Sequence, residues 1–132
     1  MNILHITPDF NYACGRSYYV YLLLKYFKKA NNNVYLATNS GDSIDRIEEL
    51  DIPVSYIKGL KTKSPISMAR SIKSIRNLII EKNIDIVHTH HRYAELLAVQ
   101  AKKLVSSGKP ATVLTALSIV DRKYKVEFKS DR

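Results

Sequence analysis

A single cysteine, Cys14, leaves this 132-residue chain unable to close an internal disulfide, so a reducing compartment is the default. Only four glycines and four prolines occur, which argues against long structureless stretches. The opening MNILHITP lacks a basic stretch followed by an apolar core and a small-residue cleavage site, so no secretory leader is read there. No apolar run approaches the roughly 18 residues that a membrane span requires. Together these absences predict a soluble, cytoplasmic chain. Neither G-x-G-x-x-G nor G-x-x-x-x-G-K-[ST] is present, which disfavours dinucleotide binding and a P-loop, and no cofactor is expected.

What is present is ample apolar material. Apolar residues make up 45% of the chain, enough to bury a core, and the length suits one domain over residues 1–132. The formal charge of +9 is unevenly spread. Residues 42–51 hold five acids against Arg46, whereas residues 52–111 hold eleven Lys/Arg against Glu81, Asp85 and Glu95. A basic middle can face phosphate, anionic lipid or nucleic acid, or be the solvated side of helices. No aromatic residue interleaves with the basic residues around 58–82, so nucleic acid ranks last. Lys58, Lys61, Lys63, Arg70, Lys73 and Arg76 are candidates for an anionic membrane surface, with the chain peripheral on its inner face.

Short apolar or β-branched runs at Ile3–Thr7, Val34–Thr38, Val54–Ile57, Ile84–His88 and Thr112–Ala116 have the length of strands, several without strict alternation, as parallel strands covered on both faces require. Between them, Ser67–Glu81 and Tyr93–Val105 carry apolar residues at helical spacing. Gly108 is read as ending the second of these and Pro110 as leading into the last strand. Ser17–Ala30 is apolar nearly all round and reads as a largely buried helix; Asp42–Leu50 reads as a short acidic one. Alternating strands and helices predict an α/β fold: a Rossmann-like three-layer sandwich around a mostly parallel sheet. The charged tail Asp121–Arg132 ends without a finished element, as a cut inside a longer protein would.

With strand order 3-2-1-4-5, ligands bind where the chain reverses, beyond the carboxyl ends of strands one and four. Two loops meet there. The first, residues 8–17, offers Asp9, Tyr12, Gly15 and Arg16, with Ser17 the expected N-cap of a helix whose free N–H groups favour an anionic or hydroxyl-rich ligand. The second offers His88, His90, His91 and Arg92. On a strand His88 and His90 share a face while His91 points away, so only two imidazoles converge locally, and a fourth ligand is not evident even if Cys14 joins from the neighbouring loop. The histidines are therefore read as hydrogen-bonding residues of the crevice, with no metal expected, and His5 as a satisfied core histidine. A Cys14–histidine nucleophile is outweighed by Cys14 as a small residue in a tight loop.

At these two loops the chain resembles the retaining GT-B glycosyltransferases of family four. MNILHITPDF is similar to that family's first strand, and Ala13-Cys14-Gly15-Arg16 stands where the family carries a Gly-Gly pair. IEKNIDIVHTHHRYAELLAVQAKKLVSSGKPATVLTAL resembles its Asp-Ile-Val-His-x-His strand, helix and Gly-x-Pro-led fifth strand, with His88 and His90 on the two family histidines. The resemblance implies one half of a GT-B fold: the N-terminal half, which binds a sugar or lipid-linked acceptor, while an absent C-terminal half binds the nucleotide-sugar donor. It implies a place in cell-surface polysaccharide or lipopolysaccharide assembly, and little activity for the chain alone. Leu117 occupies the position of a family histidine, with Ser118 beside it as a candidate substrate-binding group. The alternative is a flavodoxin-like or receiver-type binding domain without transferase activity. A receiver would end strand three on a phosphoacceptor aspartate, and here that strand ends in Ile57-Lys58-Gly59.

Overall fold

The computed structural model describes residues 1–105 and the backbone of 112–115; Leu117, Ser118, Gly108, Pro110 and the tail from 121 lie outside the described residues. Ten elements follow in order: β1 (Asn2–Ile6), α1 (Gly15–Lys29), β2 (Asn33–Thr38), α2 (Ile44–Glu48), β3 (Val54–Tyr56), a 3-10 turn at Lys58–Lys61, α3 (Pro65–Glu81), β4 (Ile86–Thr89), α4 (Arg92–Lys103) and β5 (Thr112–Thr115). The sheet is five-stranded with order β3-β2-β1-β4-β5. Every pairing is parallel. The α/β reading holds, as does the strand order that places a switch point between β1 and β4.

The strands show why three layers form. On β1, Leu4 and Ile6 join a core with Ile75 and Ile79 of α3 and Leu97 and Ala98 of α4. Ile3 faces the opposite way, into a second core with Val20 and Leu24 of α1 and Ile47 of α2. Successive side chains of a strand point to opposite faces, so a strand apolar at consecutive positions is stable only when helices cover both.

Local signals account for most boundaries. Ser64 caps α3, its Oγ accepting from the Ser67 N–H at 3.2 Å, and Pro65 occupies the first helical position, where its missing N–H costs nothing. The helix therefore begins two residues before the apolar periodicity suggests. Three helices end on left-handed residues that are not glycine: Asn31, Asp51 and Asn83, with φ of 65°, 57° and 51°. In each case the following N–H reaches back five residues, from Asn32 to Phe27, Ile52 to Ile47 and Ile84 to Ile79, which is the bonding of a Schellman cap.

Two expectations are corrected. Helix α1 is not largely buried: Ser17, Val20 and Leu24 are, while Tyr18, Tyr19, Leu22 and Tyr26 are exposed. A helix on one face of a sheet needs only one apolar stripe, and tyrosine can cover surface while keeping its hydroxyl wet. Nor does Ser17 cap α1. Cys14 holds that position without a side-chain bond, and the buried Ser17 Oγ accepts from the Asn11 N–H at 3.0 Å and donates to the Asp9 carbonyl at 3.4 Å.

Gly41 presses against the loop after β1: a Cβ there would stand 1.7 Å from the Phe10 carbonyl oxygen. The Phe10 N–H donates to Ser40 O and its carbonyl accepts from Ser43, so that backbone cannot retreat cheaply. Gly41→Ala should lower stability by about 2 kcal/mol or more, read from denaturant midpoints. Gly15→Ala, which meets nothing within 4 Å at the start of α1, should be neutral or slightly stabilising. Equal behaviour of the two variants would contradict this packing.

Candidate functional site

The carboxyl ends of β1 and β4 converge as the topology requires. A hollow of about 250 Å³ opens there, lined by Pro8, Asp9 and Arg16 from the first loop, His91 from the second, Tyr93 of α4, and Leu60, Lys61 and Lys63 from the connection between β3 and α3. Asp9 is its one acid: Arg16 Nη2 lies 2.7 Å from Oδ1 and Lys61 Nζ 3.3 Å from Oδ2. The buried Arg16 Nε has no partner among the described residues. Lys63 lies 5.6 Å from the ring centroid of Tyr93, whose hydroxyl donates to the Thr62 carbonyl at 2.9 Å. Three cations around one carboxylate, beside the starts of α1 and α4, make an anion-attracting hollow.

His91 caps α4, its Nδ1 accepting from the Tyr93 N–H at 3.3 Å. That bond requires a lone pair on Nδ1, so in the neutral ring the proton sits on Nε2 and is left to donate. Burial, then the charges of Arg16 and Lys63, hold His91 below its ordinary pKa against the opposing pull of Asp9, and the neutral form persists at physiological pH.

Of the residues expected to bind substrate, Asp9, Arg16 and His91 line this hollow. Tyr12 does not: its hydroxyl donates to both Asp45 carboxylate oxygens at 2.9 Å, its N–H to Asp42 at 2.7 Å, and the Arg46 guanidinium lies 4.2 Å from its ring centroid. Gly15 opens α1 with free space beside it, and Arg92 is exposed at the start of α4. Lys61, Lys63 and Leu60 were legible only as part of a basic stretch after strand three. That stretch divides: Lys61 and Lys63 join the hollow, whereas Lys58 and Arg70 flank a separate depression lined by Ser64, Ser67, Ser71 and Ser74. Cys14 has a thiol pKa below its ordinary value: burial raises it, but bonds from Ser17 and the charge of Arg16 outweigh that. Its neighbours are thus Ser17 and Arg16 rather than an imidazole.

His88 and His90 share a face, with ring centroids 4.3 Å apart, and His91 turns elsewhere, as expected. His90 is 3% exposed, however, and does not line the hollow. It meets His5, directly opposite His88 in the β1–β4 register. His5 Nδ1 and His90 Nε2 are 3.0 Å apart. The reading that is corrected is His5 as a satisfied core histidine: strand pairing makes it a third imidazole of this group, and its Nε2 has no partner among the described residues.

Burial, then the charge of His88, lowers the His5 pKa to about 3. Burial, then the charges of His88, His5 and Arg16, lowers that of His90 to about 2. Burial also lowers His88. Folded pKa values below the unfolded 6.5 mean that the unfolded chain binds more protons, so stability falls as pH drops below about 6.5. At pH 5 the loss should be about 2 kcal/mol for each of His5 and His90. Denaturant midpoints between pH 7 and pH 5 check this; a flat profile would exclude buried neutral rings, and His90→Gln should shallow the slope.

The sequence profile described as Glycosyltransferase Family 4 matches residues 15–126. Among solved structures, a glycosyltransferase from Rickettsia africae superposes with a TM-score of 0.72 at 22% identity, covering 93% of this chain and 32% of that one. The C-terminal domain of a hydrogenase from Pyrococcus furiosus superposes at 0.57 and 15% identity, covering 87% and 90%. Both likenesses concern the fold. Among curated proteins none matches. The chain thus spans about a third of the glycosyltransferase it resembles. With most of its length matched by one profile, the chain belongs to Glycosyltransferase Family 4.

Proposed function

We propose that this chain is the acceptor-side half of a two-domain glycosyltransferase, and that the hollow between the β1–α1 and β4–α4 loops receives an anionic group, phosphate above all, of the acceptor. The observation that carries this reading is the convergence of Arg16, Lys61 and Lys63 on a pocket at the switch point of a family-four chain. Arg16 and Lys61 are held by Asp9, and His91 adds a neutral N–H donor. An entering phosphate offers several acceptor oxygens to these donors, and charge-assisted bonds of this kind are stronger than neutral ones. Sugar transfer also needs groups that hold a nucleotide-diphosphate leaving group, a task for the donor-binding half.

Purified chain incubated with nucleotide sugars should give neither transfer nor hydrolysis, and turnover at an ordinary enzymatic rate would sink the two-half reading. A sugar phosphate should bind more tightly than the parent sugar, with Lys63→Ala weakening it about tenfold and Asp9→Asn strengthening it by releasing two cations. Calorimetry at low salt reads both; equal affinity for the two ligands would remove the anion pocket.

Peripheral placement on an anionic membrane belongs to the same proposal, supported by exposed Lys58, Arg70 and Lys73. No helix among the described residues is long and apolar enough to cross a membrane. Co-sedimentation should require anionic lipid and weaken in high salt; equal recovery with neutral vesicles would count against it.

A further inference from the structure

We infer that His5, His88 and His90 form a binding site for one divalent transition-metal ion, zinc foremost, independent of the anion pocket. Each ring offers one nitrogen, and the three nitrogens lie within 4.8 Å of one another. None of the three lines the cationic hollow. The cluster lies on the α1 side of the sheet, where Phe27 approaches His5 and Tyr19 meets His90 edge-on.

Zinc holds imidazole nitrogens at about 2.0–2.1 Å in a tetrahedron, which spaces two ligand nitrogens about 3.3–3.4 Å apart. His5 Nδ1 and His90 Nε2 stand 3.0 Å apart, a few tenths short of that edge. His88 is half-buried, stacks on His90 and needs a movement on the order of an ångström to close the triangle. A metal requires the lone pair of a neutral ring, and burial keeps all three neutral.

The protons of the ring pair are conserved when a metal binds. Without a metal, one proton lies between His5 Nδ1 and His90 Nε2, and of the outer nitrogens one carries a hydrogen and the other a bare lone pair. Both outer atoms, His5 Nε2 and His90 Nδ1, are buried without a partner among the described residues. With a metal in place of the shared proton, both become N–H, and the number of unpartnered outer atoms is still two. Coordination thus moves the shared proton to the bare outer nitrogen, releasing none and adding no unsatisfied group. Three nitrogen donors and no carboxylate select zinc, copper or nickel over magnesium and calcium, which take oxygen. A tetrahedral ion keeps a fourth position for water.

The test uses the untagged chain, stripped with a chelator and titrated near neutral pH with Zn²⁺ by calorimetry and with Co²⁺ by visible absorption. One ion per chain should bind at micromolar affinity or tighter, with the intense bands of tetrahedral cobalt and a raised thermal midpoint. His88→Ala, at the half-buried position, should weaken binding about a hundredfold, and Cys14→Ser should not alter it. Should His88→Ala prove unfolded by circular dichroism, His88→Asn replaces it, and the parent titration stands on its own. No binding of either ion at millimolar concentration, or binding unchanged by loss of the His88 ring, overturns the site and leaves three packed neutral histidines.

Discussion

The parallel pairing of β1 with β4 is the constraint on which the crevice depends. It places His5 beside His88 and Ile6 beside Thr89, and it brings two loops separated by some eighty residues of chain to one edge of the sheet. The pairing in turn depends on β1 being covered on both faces. Leu4 and Ile6 are fully buried against α3 and α4, and Ile3 against α1 and α2. A polar substitution on either face would act on the crevice through the strand that positions it.

The crevice itself joins two environments a few residues apart. Above the strand ends, Asp9, Arg16, Lys61 and Lys63 form a charged, partly exposed group in which water screens the cations. Below them the histidines are desolvated and uncharged. The division follows side-chain direction: His91 lines the hollow as the cap of α4, while its neighbour His90 packs against His5, His88 and Tyr19. Adjacent histidines in one sequence run therefore lie in unlike surroundings.

Much of this was legible in the sequence. Consecutive apolar residues in Ile3–Ile6 announce a strand covered on both faces, and the three- and four-residue steps of Met68, Ile72, Ile75 and Ile79 announce α3. The two loops of the switch point follow from strand order alone. Other features were not legible because they depend on pairing at a distance. That His5 lies opposite His88 requires the strand register, which no local pattern encodes. That Tyr12 is engaged by Asp45 depends on where α2 settles. Lys61 and Lys63 differ from Lys73 in nothing but position, and only the 3-10 turn separates pocket cations from surface ones. Ser64-Pro65 was readable as a cap and first turn, and the apolar period obscured it.

The left-handed residues Asn31, Asp51 and Asn83 lead into β2, β3 and β4, so they lie together along the edge remote from the crevice. The returns from α1, α2 and α3 to the strands that follow use one turn conformation, whereas the returns from strand to helix differ in length and shape. The molecule is thus hinged on a standard hem and tailored on the other side. At the open edge the loop after β1 is tied down, by buried Phe10 against Gly41, and the turns that thread these helices back into the sheet lie away from it. A chain made this way can change what it grips while keeping how it folds.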